Sequence, residues 1–315
     1  MKDHPRYRLS RRDFLGACAK GGLALGATIS VPGLVWDALA SEQVRSRVAV
    51  ASGSPEQAVR QAIEALGGIS KFVKPRDRVV LKPNMSFANP PEWGTTTNPS
   101  VVKTVAQLCV DAGAGSVLVV DHPLGDADRC KERTGIWTAL EGMDRVRALF
   151  LTEQRAFQEV EVPGGRTMQK VEVARPLLTS DVLISLPAAK AHSATRVSLS
   201  FKGLMGLIWD RRSMHRGEDL HHGIADLGTV LRSDLVLVDA SRALLTRGPN
   251  GPGKVVELNT IVASADPLAA DAYALSLTPW QDRALTASDV KHLQFAHERG
   301  LGEADLEKME IVKVS

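Results

Sequence analysis

The sequence predicts an α/β fold: a mainly parallel sheet flanked by helices, with a small antiparallel hairpin insertion. Two observations carry this. Short β-rich runs alternate with amphipathic stretches along most of the chain, the pattern of strands joined through helices. One region breaks it, because Glu159–Pro163 and Gln169–Val173 flank Gly164-Gly165 and read as two strands about a turn. No internal repeat, low-complexity linker or heptad run divides the chain, so 41–315 is read as one domain.

In chain order, Arg47–Ala51 is the first expected strand, and Pro55–Leu66 a helix capped by Ser54. Arg78–Leu81 is the second strand, and Pro99–Asp111 a helix ended by Gly113 and Gly115. Ser116–Val120 and, after the hairpin, Asp181–Leu186 continue the sheet. Asp219–Leu231 is expected to be helical, Asp234–Val238 and Thr260–Ser264 extended, and Pro267–Leu275 helical. Asp289–Arg299 reads as a helix capped by Gly300, and Met309–Val314 as an edge strand.

Residues 1–40 stand apart. Arg11-Arg12 sit in Ser-Arg-Arg-Asp-Phe-Leu ahead of a Gly- and Ala-rich apolar stretch, which resembles a twin-arginine signal. The expected partner is the Tat export machinery and the expected location the periplasm. Ala38-Leu39-Ala40 before Ser41 suits cleavage. The alternative is an uncleaved membrane anchor over Phe14–Leu39, which Lys20 and Asp37 interrupt. Leu15–Cys18 has the look of a lipoprotein box but lacks a hydrophobic segment ahead of the cysteine. The formal charge of +3 shrinks once the signal's basic residues are removed, so nothing points to nucleic acid. Cys109 and Cys130 are then the remaining cysteines, too few for a disulfide framework.

In open α/β sheets, ligands bind beyond the carboxyl ends of the strands. The apolar runs lead into Lys82-Pro83-Asn84, Asp121-His122, Lys190-Ala191-His192, Asp239 and Asp266, all expected on one rim. Aspartate suits turns, whereas lysine has no such preference, so Lys82 and Lys190 are the more telling pair. The stretch Leu81–Ser100, "LKPNMSFANPPEWGTTTNPS", is long for a connection and is read as a lid or wall over a polar cleft. Its end, Gly94–Pro99, leads into a helix whose free N–H groups and threonine hydroxyls favour an anion, or simply cap the helix. Lys202, with Gly203 and Gly206 close by, suggests close backbone approach to a phosphate or carboxylate. For a metal, His222 and Asp226 share a helix face near His215 and His221, although a solvated face is the commoner meaning. Asp239, Asp266 and Asp271 are an alternative oxygen set for a divalent cation.

The ordered motifs "LKPN", "GTTTNP", "DVLISLPAAKAH", "SLSFKGLMG" and "ASADPLAADAYA" resemble the bacterial and archaeal Domain of Unknown Function 362 family, over roughly Val48 to Leu277. The resemblance implies no general reaction. Some members carry a ferredoxin-like cysteine module, but two cysteines do not supply the four thiolates an iron–sulfur cluster ordinarily needs. The positions matching the family's polar motifs are Lys82, Asn84, Thr97, Lys190, His192, Lys202, Asp239 and Asp266.

Two functions follow as expectations. In the first, an enzyme or binding domain takes a small anionic ligand. Lys82, Lys190 and Lys202 neutralise it, Asn84 and Thr97 orient it, and His192 serves as acid or base. Asp239 and Asp266 hold a metal or the lysines. In the second, the protein is a non-catalytic accessory or maturation factor for a periplasmic redox or cofactor-containing enzyme. A closed pocket around the lysines favours the first, and a broad apolar patch the second.

Overall fold

The structure is a computed structural model that describes residues 45–216 and 219–315. The expected twin-arginine signal lies outside the described residues. The strands are β1 (Arg47–Ser52), β2 (Arg78–Pro83), β3 (Ser116–Asp121), β4 (Val146–Phe150), β5 (Phe157–Glu161), β6 (Lys170–Ala174), β7 (Val182–Leu186), β8 (Ala188–His192), β9 (Arg196–Val197), β10 (Leu235–Leu244), β11 (Val255–Ser264) and β12 (Glu310–Val314). The main sheet has the order β12-β1-β11-β10-β7-β2-β3-β4, with β8 and β9 attached beside β10. Strands β10, β7, β2, β3 and β4 run parallel. The expected hairpin forms as the antiparallel pair β5-β6, a separate small sheet with Glu159 opposite Glu172.

Both faces of the sheet are covered, which is why its strands read as continuous apolar runs. Val79 and Leu81 point into one core with the helices Pro55–Ala65 and Pro99–Asp111, while Val80 points into the other. Leu235 and Leu237 likewise alternate with Val236 and Val238. The second core is closed by helices Leu220–Val230, Pro267–Leu275 and Lys291–Glu298. The helix starts obey capping chemistry. Ser54, Asn98 and Asp266 each accept a first-turn N–H and are followed by proline at the first helical position.

Two departures from expectation matter for the site. Strand β11 is antiparallel to both β1 and β10, with Ser264 opposite Val236. Its exit therefore opens on the rim opposite the other strand ends, and Asp266 goes with it. Strands β10 and β11 also run on well past their apolar segments through a bulge between Ala240 and Arg242. Their polar extensions, "SRAL" and "VVELN", lack the uninterrupted apolar run that marks the inner halves. Finally, Pro187 splits the run "DVLISLPAA": β7 pairs with β2 before it, and β8 pairs with β10 after it.

Candidate functional site

Adjacent parallel strands β2 and β3 end side by side, which brings Lys82 Nζ to 3.2 Å from Asp121 Oδ1. Both side chains are buried. The Asp121 carboxylate also accepts from the Met85 and His122 backbone N–H groups and from Ser86 Oγ, at 2.8–3.0 Å. Lys82 donates in addition to Pro83 O. Burial lowers the Lys82 pKa, and the Asp121 charge opposes that shift.

The two-residue period of β8 puts Lys190 and His192 on one face. Lys190 Nζ donates to the Thr95 carbonyl at 2.5 Å and stands 5.5 Å from the Phe87 ring centroid. Lys202 lies in the one-turn helix Ser200–Gly203, whose start is fixed by the Asp271 carboxylate accepting from Ser200 and Phe201 N–H. Its Nζ is 3.5 Å from His215 Nε2. The following turn, Leu204–Leu207, presses against the ion pair at Gly206. A Cβ there would stand 2.3 Å from Asp121 Oδ1 and 2.5 Å from Lys82 Cε, so only glycine fits. The close approach expected near Lys202 is thus made by Gly206, to the Lys82–Asp121 pair.

These groups line one cavity of about 420 Å³, together with Asn84, Arg211, Arg212 and the apolar walls Phe87, Leu124, Met205 and Pro249. Asp121 is the one carboxylate among the described residues that line it. Burial, reinforced by neighbouring cations, brings Lys190 and Lys202 down to about 7. Burial comes first for His192 too, followed by the Lys202 and Lys190 charges, and together they push it down to about 3. The ring is therefore neutral at pH 7. Ala194 N–H donates to its Nδ1 at 3.1 Å, leaving the proton on Nε2. His192 is then a hydrogen-bond donor at neutral pH, with the Lys190 charge among the causes of its lowered pKa.

Of the eight residues singled out from sequence, Lys82, Asn84, Lys190, His192 and Lys202 line the cavity, and Thr97, Asp239 and Asp266 do not. Thr97 Oγ1 donates to Leu186 O at 2.6 Å and accepts from Asn84 N–H at 2.8 Å, closing the stem of the long loop. Asn84 Oδ1 in turn accepts from Ala188 N–H. Asp239 receives Asn98 N–H at 2.6 Å, and Ser241 N–H and Oγ. The anion expected at the start of helix Pro99–Asp111 is thus the protein's own carboxylate. Asp266, on the opposite rim, accepts from Ser46 Oγ, Glu303 N–H and its own helix's first turn.

The metal readings fare similarly. Asp226 accepts the Arg166, Thr167 and Met168 N–H groups and pairs with Arg299, and the His222 ring stacks on Phe295. Neither is a solvated surface group, and neither faces the other's partners. Among the described residues, no group of three or more His, Cys, Asp or Glu side chains could hold a metal ion. Cys109 and Cys130 are buried free thiols.

Arg211 and Phe87 are cavity residues that the sequence patterns do not single out, and His215, named there only as a possible metal ligand, lines the cavity too. Arg211 is buried and donates to Pro123 O at 3.0 Å. His215 Nδ1 contacts Arg211 O at 2.8 Å, which leaves Nε2 as an acceptor facing Lys202.

Residues 79–276 match the family model described as a domain of unknown function, DUF362. A thylakoid-associated protein of Synechocystis sp. is 30% identical over 236 residues, 70% of this chain and 68% of that protein. Among solved structures, the lactate racemase apoprotein of Thermoanaerobacterium thermosaccharolyticum aligns with a TM-score of 0.49 at 13% identity, over 74% of this chain and 58% of that one. A protein of Thermotoga maritima aligns with a TM-score of 0.42 at 12% identity, over 71% of this chain and 59% of that one. The chain thus spans less than two thirds of either solved structure. The matched segment runs from β2 to the end of helix Pro267–Leu275 and contains every residue lining the cavity, and the chain belongs to the DUF362 family.

Proposed function

We propose that this protein binds a small organic anion, bearing a carboxylate or phosphate, in the cavity at the carboxyl ends of β2, β3 and β8. One observation carries the reading: Lys82, Lys190, Lys202 and Arg211 are all buried around one cavity whose single lining carboxylate among the described residues already has four donors. Buried cations without counter-charge are costly, and an entering anion relieves that cost. Lys202, Lys190 and Arg211 neutralise the ligand, His192 Nε2–H donates to it, and Asn84 stands beside it. Thr97 and Asp239 hold the surrounding backbone, and Asp266 ties down the opposite rim. The apolar walls favour an organic body over inorganic phosphate. A donor set of lysines and neutral imidazoles suits an anion better than a divalent cation.

An accessory role delivering cofactors to a partner finds less support, since Leu124 and Ile311 are the exposed large hydrophobics among the described residues. The test is native mass spectrometry of the exported protein purified without phosphate, followed by thermal-shift titration with acetate, lactate, citrate and phosphate. Lys202→Met and Arg211→Met should each weaken binding by about tenfold or more, since a charge-assisted contact contributes about 1.5–3 kcal/mol. No retained anion and no shift with any of the four would sink the reading.

We propose that the arginine pair directs the protein through the Tat route to the periplasm, where this chemistry would take place. Replacing Arg11 and Arg12 with lysine should leave the protein in the cytoplasm, as fractionation would show. Normal delivery of the double variant to the periplasm would rule out this export route.

A further inference from the structure

The cavity cations are not equivalent. Lys82 is paired with Asp121 at 3.2 Å. Arg211 keeps its charge under all ordinary conditions. Lys202 points toward an acceptor, His215 Nε2, at 3.5 Å. Lys190 differs: among the described residues its Nζ has no side-chain hydrogen-bond or ion-pair partner, only the Thr95 carbonyl and the flank of Phe87. Burial and the Lys82 and Lys202 charges outweigh the opposing charge of Asp121, and a desolvated lysine beside like charge is the setting that frees an amine lone pair.

We propose that Lys190 is an amine nucleophile forming a reversible imine with the carbonyl carbon of a small oxo acid, whose carboxylate is held by Lys202 and Arg211. This rests on the anion reading and adds a substrate class to it. The Nζ lone pair forms the N–C bond, and the carbonyl π pair moves to oxygen, which takes a proton as nitrogen gives one up. The carbinolamine hydroxyl then takes a proton and leaves as water while the nitrogen lone pair closes the C=N bond, and the nitrogen's remaining proton is released in return. Amine and carbonyl become imine and water, with no oxidant or reductant. His192, two residues along β8 on the same face, offers Nε2–H to the carbonyl oxygen, the group whose negative charge grows during attack. Burial and the Lys82 and Lys202 charges bring Lys190 to about 7. Roughly half its amine is then free at pH 7, against about one part in a few thousand for an ordinary lysine. The lower intrinsic nucleophilicity of a weaker base takes back part of that gain. Lys202 is brought equally low, so it is the geometry that separates the two.

The test uses glyoxylate, an aldehyde carrying a carboxylate, with cyanoborohydride and the full chain. Peptide mapping should show Lys190 carboxymethylated about tenfold or more faster than the exposed Lys103 at pH 7. Phosphate should protect Lys190 and leave Lys103 untouched. Lys190→Arg should lose the fast site, and Lys202→Met should slow it severalfold. Labelling of Lys190 no faster than Lys103 in the wild-type chain overturns the proposal, whatever the variants do. If acetate, lactate, citrate or phosphate still gives a thermal shift that Lys202→Met abolishes, the anion reading survives and the imine falls alone. With no such shift from any of the four, both fall.

Discussion

Asp121→Ala should destabilise the protein by about 3–5 kcal/mol, the usual cost of removing one partner of a buried ion pair. The variant would leave the Lys82 ammonium without its counter-charge in a site where it is 2% exposed. It would also orphan the Met85 N–H, while the His122 N–H keeps Gly206 O and the Ser86 hydroxyl keeps His122 O. Small and medium domains are stable by about 5–15 kcal/mol, so this is a large fraction of the total. Urea unfolding should show a lower midpoint at an unchanged slope. A loss below about 1 kcal/mol would mean that the pair is not buried in solution. Lys82→Met should be milder, because Asp121 keeps its three other donors.

The ligand-free protein should become more stable as pH rises from about 7 to 9. Lys190 and Lys202 sit near 7 when folded, below their ordinary value of 10.5. Across that interval the unfolded chain holds protons that the folded chain has released, so stability climbs with pH. The penalty for burying the two ammonium groups is complete below about 7. Each lysine contributes a slope of at most about 1.4 kcal/mol per pH unit. Asp271 acts in the opposite sense at lower pH. Burial raises it to about 7, so its contribution fades as pH rises toward that value. Above pH 9 the buried thiols of Cys109 and Cys130, pushed up to about 12 and 11, begin to oppose the lysines. Below 7, His192, pushed down to about 3, and His292, lowered well below its ordinary value by burial, contribute stability that grows as pH rises through about 6.5 and outweigh Asp271. Unfolding midpoints taken from pH 5 to 9 should therefore climb throughout. Saturating citrate or phosphate should flatten the climb above 7 by keeping the lysines protonated. A flat profile above 7 without ligand would show that the lysines are solvated.

Much of the parallel half of the sheet is legible from sequence, because strands buried on both faces must be apolar throughout and end where polarity begins. The same logic brings out Lys82, Lys190 and His192, which follow such ends. It misplaces Asp266, because a strand's direction is not written in its apolar run. Antiparallel β11 reads like its parallel neighbours yet delivers its last residue to the far rim. Thr97 and Asp239 are misread for another reason. A hydroxyl or carboxylate at a helix start serves equally well for a ligand or for the backbone, and only the fold decides which donors come near. Arg211 leaves no trace, and His215 shows only as a possible metal ligand, since they reach the cavity from a segment without strand or long-helix periodicity.

The direction of β1 has a practical consequence. It runs antiparallel to β11 and hence parallel to β2 and β3, so the chain enters the fold on the rim away from the cavity, where Ser46 Oγ meets Asp266 at 2.6 Å. Anything fused ahead of Arg45, whether an affinity handle, a fluorophore or a bead, is joined at the far rim and not at the cavity mouth. Protein immobilised by that end should take up small anions as it does free in solution.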